Sequence, residues 1–319
     1  MDLDSLRSVF TDIVLTPWGL GILGLCVGSF LNVVIHRLPK MMERRWAAEC
    51  AELSGQTPAE TGKPFNLVTP RSHCPSCHAP IRWYQNIPVL SWLALKARCA
   101  ECGTRIGWRY PAIELLTGAL FVFCFDRHGM SLSTLAWWGF SAALLALAAI
   151  DWDTTLLPDD ITLPLLWAGL IAAALQWTRV PLTDALWGAV AGYLSLWSIY
   201  WLFKLATGKE GMGYGDFKLL AALGAWFGWQ ALVPMVLMAS VIGAVVGIGA
   251  QQFGQAGARH WRLEDLSVVA GKHPHVLADV ARQHLFGFPE GERPHGLWLS
   301  RLLAGLGLFV SRLGHCFHS

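Results

Sequence analysis

The hydrophobic positions along this chain fall into long apolar runs separated by shorter polar stretches. A helix needs about 20 predominantly apolar residues to cross the hydrocarbon core of a bilayer. Runs of about this length predict eight transmembrane helices, near residues 14–35, 111–128, 132–150, 161–177, 185–206, 217–231, 232–250 and 297–314. The pattern therefore predicts an all-α polytopic membrane protein.

Composition supports this interpretation. The 319 residues are 54% hydrophobic and 14% charged, whereas a soluble domain carries about 25% charged residues. A net charge of +2 gives no sign of a nucleic-acid partner, so the partner that composition implies is the lipid bilayer. The N-terminal segment lacks the basic flank and cleavage site of a secretory signal, which favours a retained first helix.

The distribution of lysine and arginine predicts the orientation of the helices. The polar stretch between the first two helices is rich in basic residues, which predicts a cytoplasmic domain and an outside N-terminus. The loops at 151–160 and 207–216 then also fall on the cytoplasmic side. The resulting domains are 1–35 (N-terminal segment and first helix), 36–110 (cytoplasmic zinc-binding domain), 111–250 (membrane core), 251–296 (cytoplasmic loop) and 297–319 (last helix and tail).

Two C-x-x-C pairs in the polar domain have the spacing of a four-thiolate zinc site. The pairs lie in HCPSCHAP and RCAECGTR, which contribute Cys74, Cys77, Cys99 and Cys102. Disulfides are disfavoured on the cytoplasmic side, and a redox C-x-x-C normally occurs once. The sequence therefore predicts a structural zinc ion, because four thiolates leave no open position for water.

Acidic residues follow the third apolar run, in IDWDTTLLPDDITLPLLW. Asp151 comes directly after the run and is expected to lie deepest in the membrane. Asp153 and Asp160 are interpreted as solvated interfacial charges or helix caps, Asp160 capping the next helix. A helix cap or a solvated interfacial charge is the alternative for Asp151 as well. An ionised carboxylate within hydrocarbon costs about 2.5–3.5 kcal/mol, so a carboxylate beside an apolar run either lies at an interface or has a function.

Asp216 stands at the start of another apolar run, in GMGYGDFKLL. A helix N-cap is one explanation. The preceding glycines, among them Gly213 and Gly215, permit close backbone approach and could admit an extended peptide, which is the other explanation. Spacing alone does not decide between them. If Asp151 and Asp216 approach each other, they share a proton and could activate water for peptide hydrolysis.

Several motifs together resemble the type 4 prepilin peptidases, and they are spread over residues 20–250 in that family's order. These motifs are GSFLNVVIHRLP (28–39), the paired C-x-x-C motifs, NIPVLSWLAL (86–95), RYPAIELLTG (109–118), IDWDTTLLPDDITLPLLW (150–167) and KEGMGYGDFKLL (209–220). Two features depart from the family pattern. Ala97 occupies a position before Arg98 that is usually glycine, and no Pro-Phe-Gly-Pro segment follows residue 250.

The resemblance implies a bifunctional enzyme of the bacterial inner membrane with its active site facing the cytoplasm. Asp151 and Asp216 match the family's catalytic pair, which cleaves type IV prepilins and type II secretion pseudopilins after the glycine of a short basic leader. The resemblance also implies N-methylation of the new terminus with S-adenosylmethionine as methyl donor, in the cytoplasmic domain. Glu43 is a candidate residue of that site, and a solvated surface charge is its alternative. The oligomeric state is not predicted.

Two other functions fit the residues without the resemblance. In a transporter or channel, Asp151 and Asp216 would relay protons or bind a cation. In a membrane scaffold, the zinc domain would recruit a partner and the aspartates would be caps. Ion flux in liposomes without peptide distinguishes the transporter, and tolerance of Asp216→Asn distinguishes the scaffold.

Overall fold

A computed structural model describes residues 16–54, 65–208 and 212–258 of the chain, and only the backbone of 246–258. It is mostly helical. The helices are α1 (Pro17–Leu53), α2 (Leu90–Ala94), α3 (Arg109–His128), α4 (Leu132–Thr154), α5 (Asp159–Ala174), α6 (Leu182–Thr207), α7 (Tyr214–Phe227) and α8 (Leu232–Ala258), with 3₁₀ turns at Trp83–Asn86 and Trp229–Ala231. The predicted helix at 297–314, and all but the first eight residues of the predicted loop at 251–296, lie outside the described residues.

The chain divides into two compact units. Among the described residues, one comprises 16–54, 65–199 and 214–232, and the other comprises 200–208, 212–213 and 233–258. Within the described residues, α1, α4 and α6 are long and apolar enough to cross a membrane. Residues Trp229–Val245 are also apolar, but this stretch is shorter than 18 residues. The expected count of eight transmembrane helices is therefore supported only for the three long helices.

Helix α1 differs from the expected boundary at residue 35. It begins at the N-cap Thr16, whose hydroxyl accepts a hydrogen bond from Gly19 N–H, and it continues through Pro39 to Leu53. The expected boundary is the end of the apolar run at residue 35, but Arg37 just beyond it is buried. Its guanidinium donates to the carbonyls of residues 66, 67 and 70 at 3.0, 3.2 and 2.7 Å, so the charge is satisfied without ending the helix.

Glycines set how closely the helices of the first unit pack. A Cβ added at Gly28 would lie 2.6 Å from Glu114 Cα, so α1 crosses α3 in direct backbone contact. A Cβ at Gly188 of α6 would lie 2.2 Å from Gly224 O of α7. Small residues at such crossings allow the close van der Waals packing that drives helix association in membranes. Apolar side chains of α1, α3 and α4, including Ile150, complete a buried cluster.

Helix α7 is shorter than the expected span at 217–231. It begins at Tyr214 and ends at Phe227, and Gly228 then adopts a φ of 79° before the 3₁₀ turn. Only glycine adopts this left-handed conformation without strain. At 14 residues, α7 is about 21 Å long, which is less than the hydrocarbon thickness of about 30 Å. Its residues from Leu219 to Trp226 are nevertheless buried, Trp226 by contact with α5.

Candidate active site

Asp151 lies in the last turn of α4 and is fully buried. The helix passes the expected end at residue 150 and stops at Thr154, because Thr155 turns into the left-handed conformation with φ of 55°. The Thr155 N–H donates to the Asp151 carbonyl at 2.9 Å and closes the helix. The carboxylate is therefore held on a regular helix, directly after the buried Ile150.

Asp216 is the third residue of α7 and is 2% exposed. An N-cap residue precedes the first helical residue, so this position inside the first turn excludes the N-cap interpretation. A carboxylate in the first turn is stabilised by the partial positive charge at a helix N-terminus.

Two contacts bring the first turn of α7 against the loop that follows Asp151. A Cβ added at Gly215 would lie 2.7 Å from Leu157 Cβ, so the two backbones approach as closely as glycine allows. Lys218 Nζ donates to Asp159 Oδ2 at 2.6 Å. Residues 155–158 join α4 to α5, so Asp151 and Asp216 belong to one end of the same helical unit. Lys218 was not singled out from sequence, although it follows Asp216 by only two residues.

The two remaining acids of the loop are exposed and form ion pairs. Asp153 pairs with Arg109, which also donates to the Ala149 carbonyl at 2.9 Å. Asp160 lies 3.4 Å from Arg45, and both side chains are more than half exposed. Their exposure agrees with the solvated charges expected at both positions, and their place at a membrane interface stays a prediction. Asp160 does not cap α5, because the N-cap position belongs to Pro158 and Asp160 lies in the first turn.

The four cysteines of the polar domain form one cluster. Their Sγ atoms all lie within 4.8 Å of one another, with Cys74–Cys102 at 3.8 Å and Cys77–Cys99 at 4.0 Å. A tetrahedral zinc ion with Zn–S bonds of about 2.3 Å requires sulfur separations of about 3.8 Å. A disulfide requires about 2.05 Å, so the geometry fits a metal ion and not a pair of S–S bonds.

The pKa values of the thiols also fit a site that a cation completes. Hydrogen bonds from the Thr104 hydroxyl and backbone lower the pKa of the Cys102 thiol to about 6. At Cys77, the hydrogen bond from the Ala79 backbone lowers the pKa, but desolvation and the three neighbouring thiols raise it to about 12. Without a cation, the cluster therefore opposes a full set of four thiolates, and a divalent ion would remove that opposition.

Both C-x-x-C pairs lie on the same kind of tight hairpin, a structural repeat that was not predicted from the sequence. Cys74 N–H donates to Ala79 O and His78 N–H to Cys74 O, both at 3.0 Å. The second hairpin repeats this pattern from Cys99, and Gly103 takes the place of His78. Both residues at this place have positive φ, 57° and 70°. The sequence signal for this repeat is the shared spacing, because each hairpin closes on the residue five positions after its first cysteine, Ala79 or Thr104.

Of the other expected site residues, Glu43 and Gly213 are exposed and Gly215 is half-buried. Glu43 lies on the solvent-facing side of α1 beyond its apolar stretch. Gly213 is exposed immediately before α7, whereas Gly215 is half-buried against Leu157. The backbone approach at Gly215 gives this glycine a packing role in addition to the expected contact with substrate.

Models of two protein families match adjacent parts of the chain. The bacterial peptidase A24 N-terminal domain matches residues 22–128, and the type IV leader peptidase family matches residues 138–248. The first match covers the cysteine cluster, and the second covers both buried aspartates. No solved structure matches the chain.

Curated relatives agree with both family matches. The chain is 56% identical over 236 residues to a protein of Burkholderia pseudomallei, covering 73% of this chain and 76% of the relative. It is 55% identical over 227 residues to one of Stutzerimonas stutzeri and 54% identical over 234 residues to one of Pseudomonas aeruginosa, each covering 71% of this chain and 78% of the relative. All three are named prepilin leader peptidase/N-methyltransferase. This chain belongs to the type IV leader peptidase family.

Proposed function

We propose that this protein is a prepilin leader peptidase that also methylates the new N-terminus. The observation that carries the peptidase assignment is the burial of Asp151 and Asp216 at one end of a single helical unit. Exposed interfacial charges need no function, as Asp153 and Asp160 illustrate. Two buried carboxylates in a chain of this family do need one.

In the proposed mechanism, the two aspartates hold one proton between them. The ionised carboxylate takes a proton from water as the water oxygen attacks the scissile carbonyl, and the protonated partner donates its proton to the carbonyl oxygen. When the tetrahedral intermediate collapses, the C–N bond breaks and the amine leaves with the proton taken from water, while a hydroxyl of the intermediate returns its proton to the carboxylate that had donated one and becomes the new carboxyl oxygen. The leader and the pilin are released, and the pair again shares one proton.

The remaining parts of the proposal follow from the family and the composition. The enzyme spans the bacterial inner membrane with about eight helices and cleaves prepilins and pseudopilins after the leader glycine at the cytoplasmic face. Gly213 and Gly215 border the entering peptide. The domain over 36–110 forms a zinc ribbon and takes part in methyl transfer from S-adenosylmethionine, with Glu43 as a candidate contact. The segments 111–250, 251–296 and 297–319 are the peptidase core, a cytoplasmic loop and a last helix with its tail.

Cleavage of a purified prepilin by reconstituted protein tests the catalytic pair. We expect Asp151→Asn and Asp216→Asn each to lower the cleavage rate by at least about 10³-fold, because neither amide can exchange the proton. Asp153→Asn is the matched control and should cut at close to the normal rate. Methylation of a precut peptide, followed in the same tubes, should be unchanged in all three. Normal cleavage by either buried-site variant would exclude that aspartate from catalysis.

Metal analysis tests the zinc site separately. The double variant Cys74→Ser, Cys77→Ser should lose the roughly one zinc per chain that we expect in the wild type, because two thiolates do not hold zinc in a structural site. Cys124→Ser is the control, since this cysteine lies in α3 outside the cluster. A double variant that keeps its zinc would show that the metal lies elsewhere.

A further inference from the structure

The polar domain exposes large apolar side chains along one short segment. These are Trp83, Tyr84, Ile87, Leu90 and Leu93, which we term the exposed apolar segment. Leu90 and Leu93 lie three residues apart on α2 and share one side of it. Trp92 faces the domain, since its Nε1 donates to Ile106 O at 3.2 Å. So many exposed apolar residues in eleven positions mark a surface that contacts a partner.

Two hydrogen bonds determine which part of α1 this segment lies beside, and therefore how deep in the membrane it lies. Val89 N–H, next to Leu90, donates to Glu114 Oε2 at 2.8 Å. Glu114 Cα lies directly against Gly28 of α1. Asn32 Nδ2 donates to Tyr110 O in the first turn of α3 at 3.1 Å. Val89 therefore lies beside the part of α1 between Gly28 and Asn32.

That part of α1 belongs to its uncharged stretch. No lysine, arginine, aspartate or glutamate occurs from Pro17 to His36. Along a helix, Gly28 and Asn32 lie about 10 and 4.5 Å before Ile35, at 1.5 Å per residue. The headgroup region of each leaflet is about 5–7 Å thick. Leu90 and Leu93 consequently lie at the depth of the headgroups or the outer acyl chains, and not in bulk water.

The surface next to the segment has the chemistry of a lipid boundary. Leu115 and Leu116 of α3 are about half exposed, as lipid-facing residues are, and Trp108 and Tyr110 are exposed at the start of that helix. Tryptophan and tyrosine are enriched at the membrane–water interface. Arg82 and Lys96 flank the segment in the sequence. Cations at this level are attracted by the anionic headgroups of the cytoplasmic leaflet.

We propose that the exposed apolar segment docks the zinc-binding domain onto the cytoplasmic leaflet, with Leu90 and Leu93 inserted among anionic phospholipids. The domain is then attached to the bilayer by this segment as well as by α1 and α3. The other possible occupant is the apolar helix of a prepilin. Lipid is favoured because the segment continues the exposed apolar surface of α3. This inference does not depend on the proposed catalytic roles.

Photocrosslinking in liposomes of phosphatidylethanolamine and phosphatidylglycerol tests the proposal. A photoreactive benzoylphenylalanine replaces Leu90 or Leu93 in the full chain, and Glu49 is the control position. Glu49 is also exposed, but it lies about 21 Å beyond Ile35 along α1. We expect phospholipid adducts at positions 90 and 93 in severalfold excess over position 49. Zinc content and prepilin cleavage verify that each variant is folded.

Two results of the crosslinking experiment would overturn the proposal. Adducts no more frequent at positions 90 and 93 than at 49 would place the segment in water. Adducts to added prepilin that replace the lipid adducts would identify the segment as a substrate surface. A second measurement needs no variant: phospholipid with a diazirine near the acyl carbonyl should label the wild-type peptide containing residues 83–93 more than the peptide containing 43–53. Equal labelling of the two peptides would also refute lipid docking.

Discussion

Replacing Gly215 with alanine should slow prepilin cleavage by moving the first turn of α7 away from the loop after Asp151. The added Cβ would lie 2.7 Å from Leu157 Cβ, and ordinary contact begins at 3.4 Å. The backbones would therefore have to separate by about 0.7–1 Å. A misplacement of about 1 Å can cost about 10²-fold in rate, which corresponds to about 2.7 kcal/mol in the activation free energy.

The assay follows kcat and KM for cleavage of a purified prepilin in proteoliposomes. If Gly215 acts by positioning Asp216, kcat should fall while KM changes little. Gly139→Ala is the matched control, because Gly139 also lies on a helix but has no atom within 4 Å of an added Cβ. The control variant should cleave at close to the wild-type rate.

A second substitution separates this steric explanation from a direct contact with the peptide. Leu157→Gly removes the Cβ that the new alanine meets, so the double variant should regain most of the lost kcat. The explanation would be refuted if Gly215→Ala kept the wild-type kcat, or if Leu157→Gly restored none of the loss. A rise in KM alone would instead support the expected role of Gly215 in the substrate loop.

Two further predictions concern residues outside the catalytic pair. Lys218→Met should lower the cleavage rate by only about two- to fivefold, because the ion pair with Asp159 is partly exposed and such pairs contribute about 0.2–1 kcal/mol. Lys218→Arg keeps the charge and should restore the rate. A loss above about 10²-fold in Lys218→Met would assign the lysine a direct catalytic role. Ala97 has a φ of 57°, which costs a non-glycine residue about 1–2 kcal/mol. Ala97→Gly should therefore stabilise the zinc-binding domain by about 0.5–1 kcal/mol, after the entropy cost of glycine is subtracted. The variant should then release zinc at a higher denaturant concentration than the wild type. Release at a lower denaturant concentration would contradict this account.

The features that sequence predicted correctly depend on short spacings. Each C-x-x-C pair specifies a tight hairpin, and the two hairpins bring four sulfurs together. Asp151 follows a long apolar run, which places it at a helix end whatever the packing.

The features that sequence did not predict depend on contacts between distant residues. Helix α1 continues past residue 35 because backbone carbonyls about 30 positions away accept hydrogen bonds from the Arg37 guanidinium. The approach of Gly215 to Leu157 joins segments 58 positions apart. The G-x-x-x-G spacing of Gly188 and Gly192 was visible, but only the structure identifies α7 as the helix that they contact.

The length of α1 has a consequence for how a substrate would meet two activities in turn. Its 37 residues form one continuous helix, about 55 Å long at 1.5 Å per residue. Arg37 and the Val89–Glu114 hydrogen bond brace the polar domain against α1 and α3. If methyl transfer takes place in this domain, as proposed above, the contacts that tie it to α1 and α3 predict that the cut pilin moves through the membrane toward the domain after cleavage.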